Sequence, residues 1–139
     1  MQKVLMTYAL LLTGVLCAQE KESHTVTVTI SGMNADRGNV YVGLYNSEDT
    51  FLERPYKGAI AKITDKKATA TFKGIVKGEY AVSVFHDENS NEKMDTNFIG
   101  IPKEPTGCSN GAKGFMGPPK YKNAKFKVIT NTVIPVEVE

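Results

Sequence analysis

Tryptophan is absent from the 139 residues, and cysteine and histidine occur only twice each. The missing indole weakens the case for a carbohydrate-stacking platform, for which tyrosine would have to substitute. One of the two cysteines, Cys17, lies in an apolar N-terminal stretch, which leaves Cys108 alone in the rest of the chain. A single thiol closes no internal disulfide, so stability must come from core burial, a metal, or both. Excess charge is also missing: 17 basic residues stand against 15 acidic ones. That balance argues against nucleic acid as a partner, since phosphate backbones demand a concentrated basic face. No apolar run approaches the roughly 20 residues that span a bilayer as a helix, and no internal repeat is visible. What is present, 41% hydrophobic and 23% charged residues, is ordinary for a globular chain and excludes a disordered one. The length suits one domain.

Residues 1–18 read as a secretory signal peptide: Lys3 supplies the positive start, residues 4–16 are nearly all apolar, and Cys17-Ala18 precede the polar run Gln19-Glu20-Lys21-Glu22. Cleavage after Ala18 is expected. Lipid attachment at Cys17 is the alternative, disfavoured because Leu16 stands where a small residue is usual. The expectation is a periplasmic or secreted domain over residues 19–139 with no transmembrane segment.

The remainder reads as short strands. Residues 25–30 alternate strictly, with Val26, Val28 and Ile30 on one face and threonines on the other. Residues 40–45, 58–63 and 68–72 follow behind turn-forming residues, and residues 79–86 are apolar enough on both faces for a central strand. Residues 125–128 and 133–138 are expected to close the chain as a hairpin around Thr130-Asn131. Seven strands without a helical period predict an all-β fold, a single-domain antiparallel β-sandwich of Ig-like or transthyretin-like build, with a small barrel as the alternative. One long loop, residues 87–123, breaks the rhythm, and so long a connection in a small domain requires an organiser or a function.

The loop opens with His86-Asp87-Glu88-Asn89-Ser90-Asn91-Glu92-Lys93-Met94-Asp95-Thr96-Asn97. Asp87, Asn89, Asn91 and Asp95 occupy the first, third, fifth and ninth positions, and the carbonyl of Lys93 the seventh, which is the ligand spacing of calcium loops. Oxygen donors on alternating residues of a tight loop converge, and calcium takes six to eight such oxygens. The match is incomplete. Glu92 stands at the sixth position, where glycine usually makes the sharp turn, and Phe98 stands at the twelfth in place of a bidentate glutamate. Asp95, Asn97 or a side chain from another loop such as Glu104 would have to finish the shell. The competing interpretation is an Asx-rich turn that hydrogen-bonds its own backbone without metal.

Other chemistry is less well supported. His86 and Asp87 are strand neighbours pointing to opposite faces, so adjacency does not make them a dyad. Cys108 and Ser109 lack a readable base. Phe98, Phe115 and Tyr121, with Lys103, Lys113, Lys120 and Lys122, offer an aromatic and basic rim for a small ligand or carbohydrate; the favoured expectation is that the aromatics pin the loop to the sandwich while the lysines stay in water.

The run Gly78-Glu79-Tyr80-Ala81-Val82-Ser83-Val84-Phe85-His86-Asp87-Glu88-Asn89, followed by Asn91, Asp95-Thr96-Asn97-Phe98, Gly100-Ile101-Pro102-Lys103-Glu104, Gly117-Pro118-Pro119 and Asn123-Ala124, resembles the bacterial exported proteins of domain of unknown function 2141. Gly38-Asn39-Val40-Tyr41-Val42 and Leu44-Tyr45 also fit. The chain departs from that pattern at Glu92, where glycine is frequent, and at Cys108, where an aromatic is common. The resemblance implies an envelope-associated or secreted β-sandwich without an assigned activity. The combined expectation is a non-enzymatic module that binds an unknown ligand or envelope component, possesses a calcium-loop-like segment, and has a small hydrolase as its alternative.

Overall fold

The computed structural model describes residues 22–98 and 102–139. The expected leader over residues 1–18, with Cys17, lies outside the described residues. Within them are eight strands: β1 (Ser23–Ser31), β2 (Asn39–Tyr45), β3 (Lys57–Lys62), β4 (Ala68–Val76), β5 (Gly78–Asp87), β6 (Thr106–Cys108), β7 (Phe126–Val128) and β8 (Thr132–Glu137), with one short helix, α1 (Tyr121–Ala124). One sheet has the order β4-β1-β8; the other has the order β3-β2-β5-β6, with β7 also paired to β5. Together they form an all-β sandwich.

Alternation explains the core. Val26, Val28 and Ile30 of β1 and Val40, Val42 and Leu44 of β2 are buried and join Phe72, Ile75, Tyr80, Val82 and Val84 between the sheets. β5 is buried on both faces because its odd-numbered side has its own cover. There Ala81 packs with Cys108, Tyr121 and Ala124, with Phe51 and Ala112 at the margin. Edge-on aromatic contacts run from Tyr45 to Phe51 (5.2 Å) and from Phe51 to Tyr121 (5.7 Å), while Tyr41 stacks on Phe85 at 4.9 Å.

Two expectations need correction. Residues 126–128 and 132–137 do not form a hairpin: β7 pairs antiparallel with β5, and β8 pairs parallel with β1. The sandwich is therefore not purely antiparallel. Alternation reports which face of a strand is buried and carries no information about its neighbour. Pro135 suits this placement, because β8 is an edge strand on which a missing N–H costs no ladder bond. The expected long loop is also subdivided, by β6, a 3-10 turn (Ser109–Gly111) and α1.

The two sheets are tied at one edge. Thr106 donates its N–H to the Glu139 carbonyl (3.1 Å) and accepts the Glu139 N–H in return (3.0 Å). Beside this tie, a Cβ on Gly107 would lie 2.4 Å from the Glu137 carbonyl oxygen, so only glycine permits the crossing.

Ser109 holds the outer cover in place. Fully buried, it accepts the Val82 N–H at 2.9 Å, and its hydroxyl lies within hydrogen-bond reach of the Val82 and Ala124 carbonyls. Its oxygen serves β5 and the end of α1 together.

Candidate cation loop and polar hollow

The site begins where β5 ends. His86 and Asp87 are both fully buried and, as expected for strand neighbours, engage different partners. The imidazole Nε2 of His86 lies 2.7 Å from the Arg37 carbonyl, which can only accept, so Nε2 carries the proton. Nδ1 has no hydrogen-bond partner and lies 3.8 Å from a Glu88 carboxylate oxygen. Asp87 turns the other way. Its two carboxylate oxygens accept the backbone N–H groups of Asn91 (3.3 Å) and Glu92 (2.8 Å), folding the next five residues back over the strand end.

That fold-back brings the alternating side chains together. Asn89 accepts the Asn91 N–H at 3.3 Å, and Asn91 accepts the Lys93 N–H at 3.0 Å. Their amide N–H groups point at one carboxylate: Asn89 donates to one oxygen of Asp95 at 2.7 Å and Asn91 to the other at 2.8 Å. Lys93 contributes backbone only, its side chain being exposed. Two residues pay for the tight path with left-handed backbone, Ser90 at φ 55° and Glu92 at φ 62°. Phe98, at the twelfth position, points away and is 99% exposed.

Glu104 is the part of the site that loop spacing alone does not locate. Although only 8% exposed, it spans the loop from outside, accepting the Glu88 N–H at 2.8 Å and the Asp95 N–H at 2.9 Å. The Lys103 N–H donates to the Asp95 carbonyl at 2.7 Å. Glu104 is the side chain from another loop that the sequence offers to finish the shell, whereas no linear pattern marks Arg37, which arrives from the β1–β2 connection to meet Glu88 at 3.4 Å. Arg37, Glu88, Asn89, Asp95, Thr96, Lys103 and Glu104 line an open polar hollow of about 680 Å³.

The side chains that meet are Asn89, Asn91 and Asp95, while Asp87 is engaged by the backbone of the same loop and Glu104 lies alongside. Among the described residues no three His, Cys, Asp or Glu side chains group as a metal centre. A cation here would therefore rely on amide and carbonyl oxygens as much as on carboxylates, a donor set suited to hard cations and poorly suited to thiophilic ones.

The hydrogen bonds from Asn91 and Asn89 hold the Asp95 carboxyl below its ordinary range against the raising effect of burial, with lesser lowering contributions from Glu104 and Lys103. A lowered folded-state value means that the ionised form supplies stability above the ordinary aspartate pKa, and that this stability is lost as pH falls through the lowered value. The melting temperature of Asp95→Asn is accordingly expected to lie below that of the parent at neutral pH and to converge on it well below about pH 4. A gap that stays constant over that range would assign the effect to packing.

The hydrolase alternative finds little chemistry. Ser109 is committed to backbone groups, and burial pushes the Cys108 thiol up, away from its nucleophilic form, despite the lowering effect of a Ser83 hydrogen bond. The aromatic rim is split. Tyr121 does pin the outer cover, and burial together with nearby Glu79 pushes its hydroxyl up to about 12. Phe98 and Phe115 do not: Phe115 is 90% exposed.

No curated protein and no solved structure matches the chain. A family model described as an uncharacterized protein conserved in bacteria, DUF2141, matches residues 28–135, which span both sheets and the whole of the candidate site. By that match the chain belongs to the DUF2141 family of bacterial proteins.

Proposed function

We propose that the chain is an exported, non-catalytic binding or envelope-structural module, acting in the periplasm or outside the cell, whose segment 87–95 is a calcium loop. Asp87, Asn89, Asn91, the Lys93 carbonyl and Asp95 supply the oxygens, and the ion stiffens the connection between β5 and β6. The observation that carries this reading is the convergence of Asn89 and Asn91 on the two oxygens of Asp95, at 2.7 and 2.8 Å. Side chains two positions apart share a focus there. Glu92 adds support: its φ of 62° is the left-handed turn that the sixth position of such loops needs. Export rests on the leader-like residues 1–18.

The test is thermal melting of residues 19–139 in EDTA and in about 1 mM calcium. For a dissociation constant of about 0.1 mM the ion stabilises the fold by about 1.4 kcal/mol, an upward shift of roughly 3 to 8 °C. Combining Asn89→Ala with Asp95→Asn, two changes at exposed or half-exposed side chains, is expected to abolish the shift while the protein remains folded. Identical melting of the parent in both buffers, or an equal shift in the double variant, would sink the calcium reading.

A further inference from the structure

Far along the chain from the cation loop, the segment between β6 and α1 carries an apolar tip that the sandwich does not use. Phe115 is 90% exposed and Met116 95% exposed, in the run Gly114-Phe115-Met116-Gly117-Pro118-Pro119. Met116 is held at φ 55°, a left-handed conformation unfavourable for a side-chain-bearing residue. Two large apolar side chains are thus presented on a tight turn with almost no protein contact. A lone exposed Phe needs no explanation; an adjacent pair on a constrained turn does.

The charge around the tip identifies its counterpart. Phe115 and Pro118 share a hollow of about 260 Å³ with Lys113, Lys120, Lys122 and Asn123, and no acidic side chain lines it. Between Glu104 and Glu137 the chain contains Lys113, Lys120, Lys122, Lys125 and Lys127 and no acidic residue. Lys113 is balanced by Glu139 at 2.9 Å and Lys125 by Glu79 at 3.5 Å. Lys120 and Lys122 make no ion pair among the described residues. Exposed ammonium groups beside a protruding aromatic and thioether match an anionic bilayer surface, where headgroup phosphates take the lysines and the interfacial zone takes the apolar pair.

We propose that the 113–122 segment is a membrane-surface contact: Phe115 and Met116 insert at the interface of an anionic lipid bilayer, with Lys120 and Lys122 on the headgroups. The attachment is peripheral, needs no transmembrane helix, and does not depend on the cation loop. Two apolar side chains and two free lysines give a weak, reversible contact that salt reverses.

The experiment is co-sedimentation of residues 22–139, which contain every strand of both sheets and their shared core. The vesicles are phosphatidylcholine alone or a seven-to-three mixture with phosphatidylglycerol, all in EDTA. Binding is expected to the anionic vesicles only and to fall with added salt. Lys120→Glu with Lys122→Glu is expected to weaken it by at least roughly 25-fold, about five-fold per lysine. Phe115→Ser with Met116→Ser is expected to weaken it by on the order of ten-fold without lowering the melting temperature, since neither side chain is packed. The proposal is overturned if the parent binds neither vesicle, binds both equally, or binds regardless of the serine pair. It is also overturned if inorganic phosphate at millimolar concentration abolishes binding where chloride of equal ionic strength does not, which would mark a free-phosphate site, or if the serine pair instead abolishes self-association, which would mark a second copy of the chain as the occupant.

Discussion

Asp87→Ala is expected to be the most damaging single substitution in the molecule, lowering stability by about 3 to 5 kcal/mol, because it removes the acceptor of two charge-assisted hydrogen bonds worth roughly 1.5 to 3 kcal/mol each. The residue is fully buried, and its carboxylate accepts the N–H groups of Asn91 and Glu92. Without it the Glu92 N–H loses its acceptor, the Asn91 N–H keeps only Asn89, and the left-handed backbone at Ser90 and Glu92 loses its restraint. For a domain of this size the loss corresponds to a fall in melting temperature of roughly 10 to 20 °C. Asp87→Asn, which retains one oxygen but places an amide N–H against a backbone donor, should fall between parent and alanine. A shift of only a degree or two for alanine, read by circular dichroism, would mean that the turn holds itself. The prediction holds in EDTA and so stands apart from calcium.

Gly38→Ala should be nearly as costly. Gly38 has φ of 74°, and a Cβ built on it would lie 2.0 Å from the Asp87 carbonyl oxygen and 3.1 Å from the Glu88 Cα. The backbone preference alone costs about 1 kcal/mol or more. The overlap is with main chain, which cannot swing aside, so the β1–β2 turn must retreat from the end of β5. The turn carries Arg37, whose carbonyl receives His86 and whose guanidinium meets Glu88, so its retreat also loosens the wall of the polar hollow. A loss of about 2 to 4 kcal/mol is expected, measured by urea unfolding. Gly111→Ala is the matched control, because its φ is also positive, 62°, while nothing lies within 4 Å of its added methyl. Equal costs at the two positions would show that backbone preference, and not the close approach, sets the penalty.

The strands were legible because burial on one face leaves a period of two, as in residues 25–30, and because β5, covered on both sides, loses that period in a recognisable way. β6 was not legible: three residues, Thr106-Gly107-Cys108, are too few to show alternation. The partners of β7 and β8 were misread because a short polar turn between apolar runs looks the same whether the strands pair or part. At the site, the spacing of Asp87, Asn89, Asn91 and Asp95 marks a segment in which Asn89, Asn91 and Asp95 meet, since side chains two apart on a tight loop tend to converge. Glu104 and Arg37 come from other connections, and a linear pattern holds no distance between connections. The exposure of Phe115 ran against the usual burial of aromatic residues, and only the path of the chain reveals it.

The parallel pairing of β8 with β1 also governs how the protein must be made. Thr25 donates its N–H to the Asn131 side-chain oxygen, 106 positions further along, so one flank of β1 stays without its neighbour until almost the whole chain has emerged. Contacts so distant in sequence slow folding, and in the interval that bare flank is open to pairing with another molecule.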